Sequence, residues 1–182
     1  MNADVKRKQL AAALNRVAHG DRPALRLVYD MTSAKLFGAC LRILNDRSEA
    51  EDVLQEVYLT VWNKAAGFDE ARASPITWLV AIARNRANVD WLKALFAEAK
   101  AKDAKAVVIA LQASLFEDER DFGDFSGKRV RGGSEGPYYW IAFAIRELAS
   151  RYGKPVLVIN GDFHDFIVDK PFRVSKSESK AP

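Results

Sequence analysis

The chain has 182 residues, 49% hydrophobic and 29% charged, which suffices for a real core in one ordinary domain or in two small ones. This composition excludes disordered and fibrous classes, and no stretch approaches the roughly 18 apolar residues of a membrane span. A net charge of +4, shared evenly by the two halves, permits an acidic partner such as nucleic acid without requiring one. The amino terminus, MNADVKRKQL, is basic but leads into no apolar segment, and the single cysteine, Cys40, cannot form an internal disulfide. A cytoplasmic protein, neither secreted nor membrane-spanning, is the expectation.

In chain order, the first half has the punctuation of consecutive helices. Leu25, Val28, Tyr29, Leu36, Phe37, Cys40, Leu41 and Leu44 fall near helical spacing, and the run ends at NDRS. Cys40 among these residues reads as a small buried hydrophobe. Ser48 followed by Glu51 has the pattern of a capping box, and Leu54, Val57, Tyr58 and Val61 recur at helical intervals behind it. The loop GFDEARA separates this helix from a third, with Ser74 at the cap and Pro75 at the first helical position, where a missing amide hydrogen costs nothing. With no Gly or Pro from Ile76 to beyond Lys105, that helix is expected to continue to about Lys102.

The second half changes period. AVVIAL, residues 106 to 111, is a short apolar run that reads as a fully buried strand. Residues 117 to 136 are rich in Gly, Ser and charge and are expected to form a mobile loop. Pro137 starts a helix with Ile141, Ile145, Leu148 and Tyr152 on one face, Gly153 stops it, and VLVI comes next as a second strand. Strand, helix and strand predict a βαβ unit with parallel strands. The expected fold class is thus α plus α/β: a helical region over 1–92, a small α/β region over 93–172 and a disordered tail over 173–182. Exposed strand edges make self-association through the C-terminal strands a further expectation.

On α-helical geometry Glu51, Asp52, Gln55 and Glu56 lie opposite the apolar stripe of their helix. Spacing alone allows two readings, a docking face for basic residues or acidic residues that favour a helix N-terminus. Phe68 to Arg72 read as a solvated connection as readily as a binding loop. Arg84, Asn85, Arg86 and Asn88 combine cations suited to phosphates with amides suited to base edges, and read equally as solvated surface. Trp62, Trp78 and Trp91 are candidate stacking platforms, but Trp62 and Trp78 lie on apolar faces and are expected in the core.

Residues 44 to 87 resemble region two of bacterial sigma factors of the extracytoplasmic-function group, most specifically in AEDVLQEVYLTVW (50–62) and SPITWLVAIARNRA (74–87). With residues 6 to 43 the resemblance covers about half of the chain. It implies a bundle of three or four helices that docks on the clamp of core RNA polymerase and opens the minus-ten promoter element. It assigns Asp52, Gln55 and Glu56 to polymerase binding. Phe68, Asp69 and Arg72 fall in the loop that receives a base flipped from the non-template strand, and Arg84, Asn85, Arg86 and Asn88 on the DNA-binding helix. Core RNA polymerase and promoter DNA are the implied partners, with an anti-sigma factor as a third class. No catalytic residue and no cofactor are expected.

Two segments of the second half, VDWLKALFAEAKAKDAKAVVIALQASLF and ASRYGKPVLVINGDFHDFIVDKPF, resemble the C-terminal part of a calcineurin-like metallophosphoesterase. That resemblance makes Asp162 and His164 candidate metal ligands. A two-metal site draws its ligands from several strand ends, and this chain has two histidines in all, His19 and His164. The Asn160-Gly161 pair also reads simply as a tight hairpin turn. An enzyme is therefore not expected. Residues 106 to 182 show no helix-turn-helix pattern of the kind sigma region four carries, and Asn88 stands as an extra residue that rotates every later helical position by about 100°. These features leave three functions: a sigma-like module without region four, a phosphohydrolase fragment, or a chimera joined near Asn88 with no selected activity.

Overall fold

The structure, a computed structural model, describes residues 2–111 and 139–160. The expected loop at 117–136, the Pro137 helix start, the Asn160-Gly161 turn, Asp162, His164 and the tail at 173–182 lie outside the described residues. The chain forms two compact units, Met1–Trp91 and Leu92–Pro182. Among the described residues it is mostly helical, with one two-stranded parallel sheet.

Three helices, α1 (Ala3–Ala18), α2 (Arg22–Leu44) and α3 (Arg47–Lys64), and the start of α4 (Pro75–Ala101) build the first unit. Their connections are short because each end carries its own stop and start. Gly20, at φ 82°, and Asn45, at φ 55°, take the left-handed conformation that ends α1 and α2. Asp21 then caps α2 by accepting the Ala24 amide at 3.0 Å, while Arg16 donates to the other oxygen at 2.8 Å. These contacts, the cap bond first, hold the Asp21 carboxyl below its usual range.

At α3 the cap is Asp46, whose Oδ1 accepts the Glu49 amide at 2.9 Å, and not Ser48, which lies inside the helix. Asp46 and Glu49 have the same three-residue spacing as Ser48 and Glu51, and the carboxylate sits where the free amides are. Ser74 caps α4 as expected, accepting the Thr77 amide at 3.3 Å. Helix α1 lies outside the elements expected from the sequence. Its buried Leu10, Ala13, Leu14 and Val17 have the helical spacing that marks it.

Helix α2 is central. Ala24, Val28, Thr32, Leu36 and Cys40 are all buried at four-residue steps. Each step advances about 40° around a helix of 3.6 residues per turn, so the row winds around α2 and meets different neighbours along its length. Accordingly α2 packs on both α1 and α3. Leu79, Ala83 and Ala87 bring α4 into the same core, and the small Ala83 lets Cys40 Sγ come within 3.9 Å of its carbonyl oxygen. Thr32 is the one buried polar residue among those described; it donates to Val28 O at 2.6 Å and shares a hydrogen bond with the Tyr58 hydroxyl at 2.8 Å. Desolvation pushes the Tyr58 hydroxyl up to about 12 and the Cys40 thiol up to about 11.

In the second unit β1 (Val107–Leu111) pairs in parallel with β2 (Val156–Asn160), Val107 opposite Val156 and Leu111 opposite Asn160. Helix α5 (Tyr139–Tyr152) precedes β2 and buries Ile141, Ala142, Ala144 and Ile145. Gly153, at φ 73°, ends it. The Tyr152 hydroxyl donates to Ala104 O at 2.7 Å, and its ring meets Phe96 edge-on at 5.6 Å. The expectation of a fully buried first strand is corrected. Val107 and Ile109 are buried but Val108 is 60% exposed, because alternate residues of a strand face opposite sides and this sheet has only one buried side. Among the described residues no helix is long and apolar enough to cross a membrane.

Candidate nucleic-acid interface

The buried residues of α3, Ala50, Val53, Leu54, Val57, Tyr58 and Val61, fix which face looks outward. Asp52, Gln55 and Leu59 are exposed on the other side, Leu59 at 65%, and Glu51 there pairs with Arg47 at 2.9 Å. Glu56 stands at the edge of this face toward α4, where it forms an ion pair with Arg86. The Arg86 Nε also donates to Asp90 Oδ2 at 3.1 Å, one turn further along α4. Two residues expected on separate surfaces, Glu56 and Arg86, are therefore partners of one another. With side chains 36% to 47% exposed, the interhelical pair contributes about 0–1 kcal/mol after solvent screening.

The loop between α3 and α4 is more ordered than a solvated connection. A 3-10 turn, Ala65–Gly67, leads to Phe68, whose ring lies 5.4 Å from that of Trp78 and packs against the core. Asp69 shapes the next turn: its Oδ1 accepts the Ala71 amide at 2.9 Å and its carbonyl accepts the amides of Arg72 and Ala73. Phe68 and Asp69 thus have structural duties, while Arg72 is exposed. Glu70 reaches back toward Arg7 of α1 at 3.9 Å.

On α4, Arg84 is exposed and Asn85 and Asn88 are half-buried. Thr77, Arg84 and Trp91 form an exposed row at seven-residue intervals, with Trp91 43% exposed. Seven residues fall about 20° short of two full turns, so the three share one face, and Asn88 lies beside it. Arg72 and Arg84 are set apart along this helix, by roughly 13 Å from its first residue to Arg84 at 1.5 Å per residue. The face carries a cation for phosphate, the Asn88 amide for a base edge and an aromatic ring for stacking, with Asn85 about 100° round the helix from Arg84. Trp62 and Trp78, in contrast, pack against the core as expected.

These helices are similar to a known family. Residues 28–94 match the family model for Sigma-70 region 2. The region 2 match runs through Asn88, past the point where the sequence suggested a join. Among similar curated proteins is the ECF RNA polymerase sigma factor SigK of Mycobacterium ulcerans, 39% identical over 85 residues, 47% of this chain and 45% of that one. SigK of Mycobacterium tuberculosis is 41% identical over 78 residues, 43% and 42% of the two chains. SigK of Mycolicibacterium vanbaalenii is 40% identical over 79 residues, 43% and 40%. The chain spans less than half the length of these relatives. The phosphoesterase resemblance and self-association gain no support from them, and among the described residues no group of three or more His, Cys, Asp or Glu is placed to hold a metal.

Within the region 2 match, Leu59 is a surface residue that reading the sequence did not assign, whereas Trp91, one of three candidate stacking platforms, is exposed. The signal for each was present: Leu59 is three and seven residues from Glu56 and Asp52, and Trp91 is seven from Arg84. Leu59 interrupts an otherwise polar face with an exposed apolar side chain, a pattern common at the centre of interfaces.

Proposed function

We propose that the first unit is a sigma-factor module of transcription initiation, in which α3 docks on core RNA polymerase and α4 faces minus-ten promoter DNA. The observation that carries the reading is the region 2 match over 28–94, which covers most of α2, all of α3 and the part of α4 that shares their core. Asp52 and Gln55, with Leu59 beside them, form the docking face, suited to a basic surface with an apolar centre. Arg84 supplies phosphate contact, Asn85 and Asn88 base-edge contact, and Trp91 a stacking surface for an unpaired base. Arg72 is the exposed cation of the loop, whose Phe68 and Asp69 hold the shape of a base-receiving turn. An anti-sigma protein that covers the α3 face fits the same chemistry. None of these duties needs a cofactor or a bond-breaking step.

The module's DNA contact is testable by salt dependence, because each phosphate neutralised releases counterions. Arg84→Ala is expected to weaken binding of the full chain to a forked minus-ten DNA and to lower the slope of log affinity against log salt by about 1. An unchanged slope removes Arg84 from the interface.

A further inference from the structure

Arg86 stands between two carboxylates, Glu56 of α3 and Asp90 of its own helix. Each carboxylate offsets part of the guanidinium's charge, so Arg86 presents little surplus positive charge to a phosphate while both pairs hold. Its neighbour Arg84 is exposed and makes no ion pair among the described residues. The Glu56 side chain is 47% exposed overall although the Oε2 that faces Arg86 is itself buried, so a partner would meet the rest of the carboxylate first; the Asp90 side chain, at 24%, is less open.

We propose that Glu56 is a positioning residue that withholds Arg86 from nucleic acid, and that a cationic partner surface which takes Glu56 releases Arg86 to phosphate. The inference rests on the sigma-like reading and joins its two surfaces: docking at α3 and DNA engagement at α4 become one linked equilibrium. Ion pairs at this exposure exchange partners readily, so a docked cation suffices to open the bridge. Asp90 keeps part of its hold, which limits the gain to several-fold.

The linkage is visible without polymerase, using the full chain and a labelled single-stranded DNA of about 20 nucleotides and mixed sequence, titrated over a range of salt. Glu56→Gln is expected to bind about fivefold tighter than the parent with a steeper salt slope, and adding Arg86→Gln to it to abolish that gain. Arg86→Gln alone is expected to lower the slope less than Arg84→Ala does. An equal gain in the double variant would mean that loss of one negative charge explains everything, and would overturn the proposal. So would a slope loss in Arg86→Gln as large as in Arg84→Ala, since Arg86 would already contact DNA. If neither the parent nor any variant binds DNA in a salt-dependent way, the sigma-like reading itself fails and the inference falls with it, a pattern distinct from the other two. Solvent exchange of the Arg86 Nη2 protons, the ones that face Glu56, followed by NMR, gives a second readout independent of DNA. It is expected to be slow in the parent and faster in Glu56→Gln, and equal rates would overturn the restraint.

Discussion

In the first unit Leu14, Val28, Leu36, Val57 and Leu79 are fully buried side chains contributed by four different helices. In the second, two paired strands leave Val108, Leu157 and Ile159 about half exposed or more while Val107 and Ile109 are buried. A helix needs only one stripe covered, and four helices can cover each other's stripes; a sheet has two faces, and a second layer is needed for each. The contrast teaches that similar apolar content is used differently, with substitutions at equivalent residue types expected to cost very different amounts.

The strongest expected effect is Leu36→Ala, which removes a fully buried side chain and should destabilise the helical unit by about 2–5 kcal/mol in denaturant unfolding. Leu157→Ala, at 49% exposure, should cost less than about 1 kcal/mol. Equal losses would break the contrast between the units.

A pH dependence sharpens it within the core of the first unit. The Tyr58 hydroxyl is raised from 10.0 to about 12 by burial, so the folded state keeps a proton that the unfolded state loses first. Its contribution is complete below pH 10 and declines as pH rises through 12, by about 2–3 kcal/mol across that window. Tyr58→Phe should flatten this part of the stability curve, leaving the Cys40 contribution, lost from 9.0 to about 11, in place. Stability curves of parent and variant that fall in parallel above pH 10 would contradict the burial of this hydroxyl.

A smaller effect separates two candidate caps. Asp46→Ala should cost about 1 kcal/mol, whereas Ser48→Ala should stay within about 0.5 kcal/mol. The reverse order in thermal unfolding would restore Ser48 as the cap.

What could be read from the sequence was mostly local. Ser74-Pro75 starts α4, Gly153 stops α5, and the parallel pairing of the two apolar runs came from a strand, helix, strand order. The Asp46 cap was obscured because two overlapping capping patterns compete within six residues, and only the positions of the free amides decide between them. The exposure of Val108 was hidden because a short apolar run looks the same whether one face or both are covered. Least legible was the Glu56–Arg86 pair, formed across a helix–helix contact by residues that sequence reasoning assigns to different partners. Periodicity tells which face a residue occupies, and not which neighbouring helix presents the matching charge.

Capture of the purified full chain by bacterial core RNA polymerase tests the sigma-like account most directly, beside an Asp52→Lys, Gln55→Lys double variant that leaves the Glu56–Arg86 pair in place. The account predicts that the parent is captured and that reversing the charge of the α3 face weakens capture about tenfold or more. A folded parent that is not captured, or a variant captured as well as the parent, would contradict it.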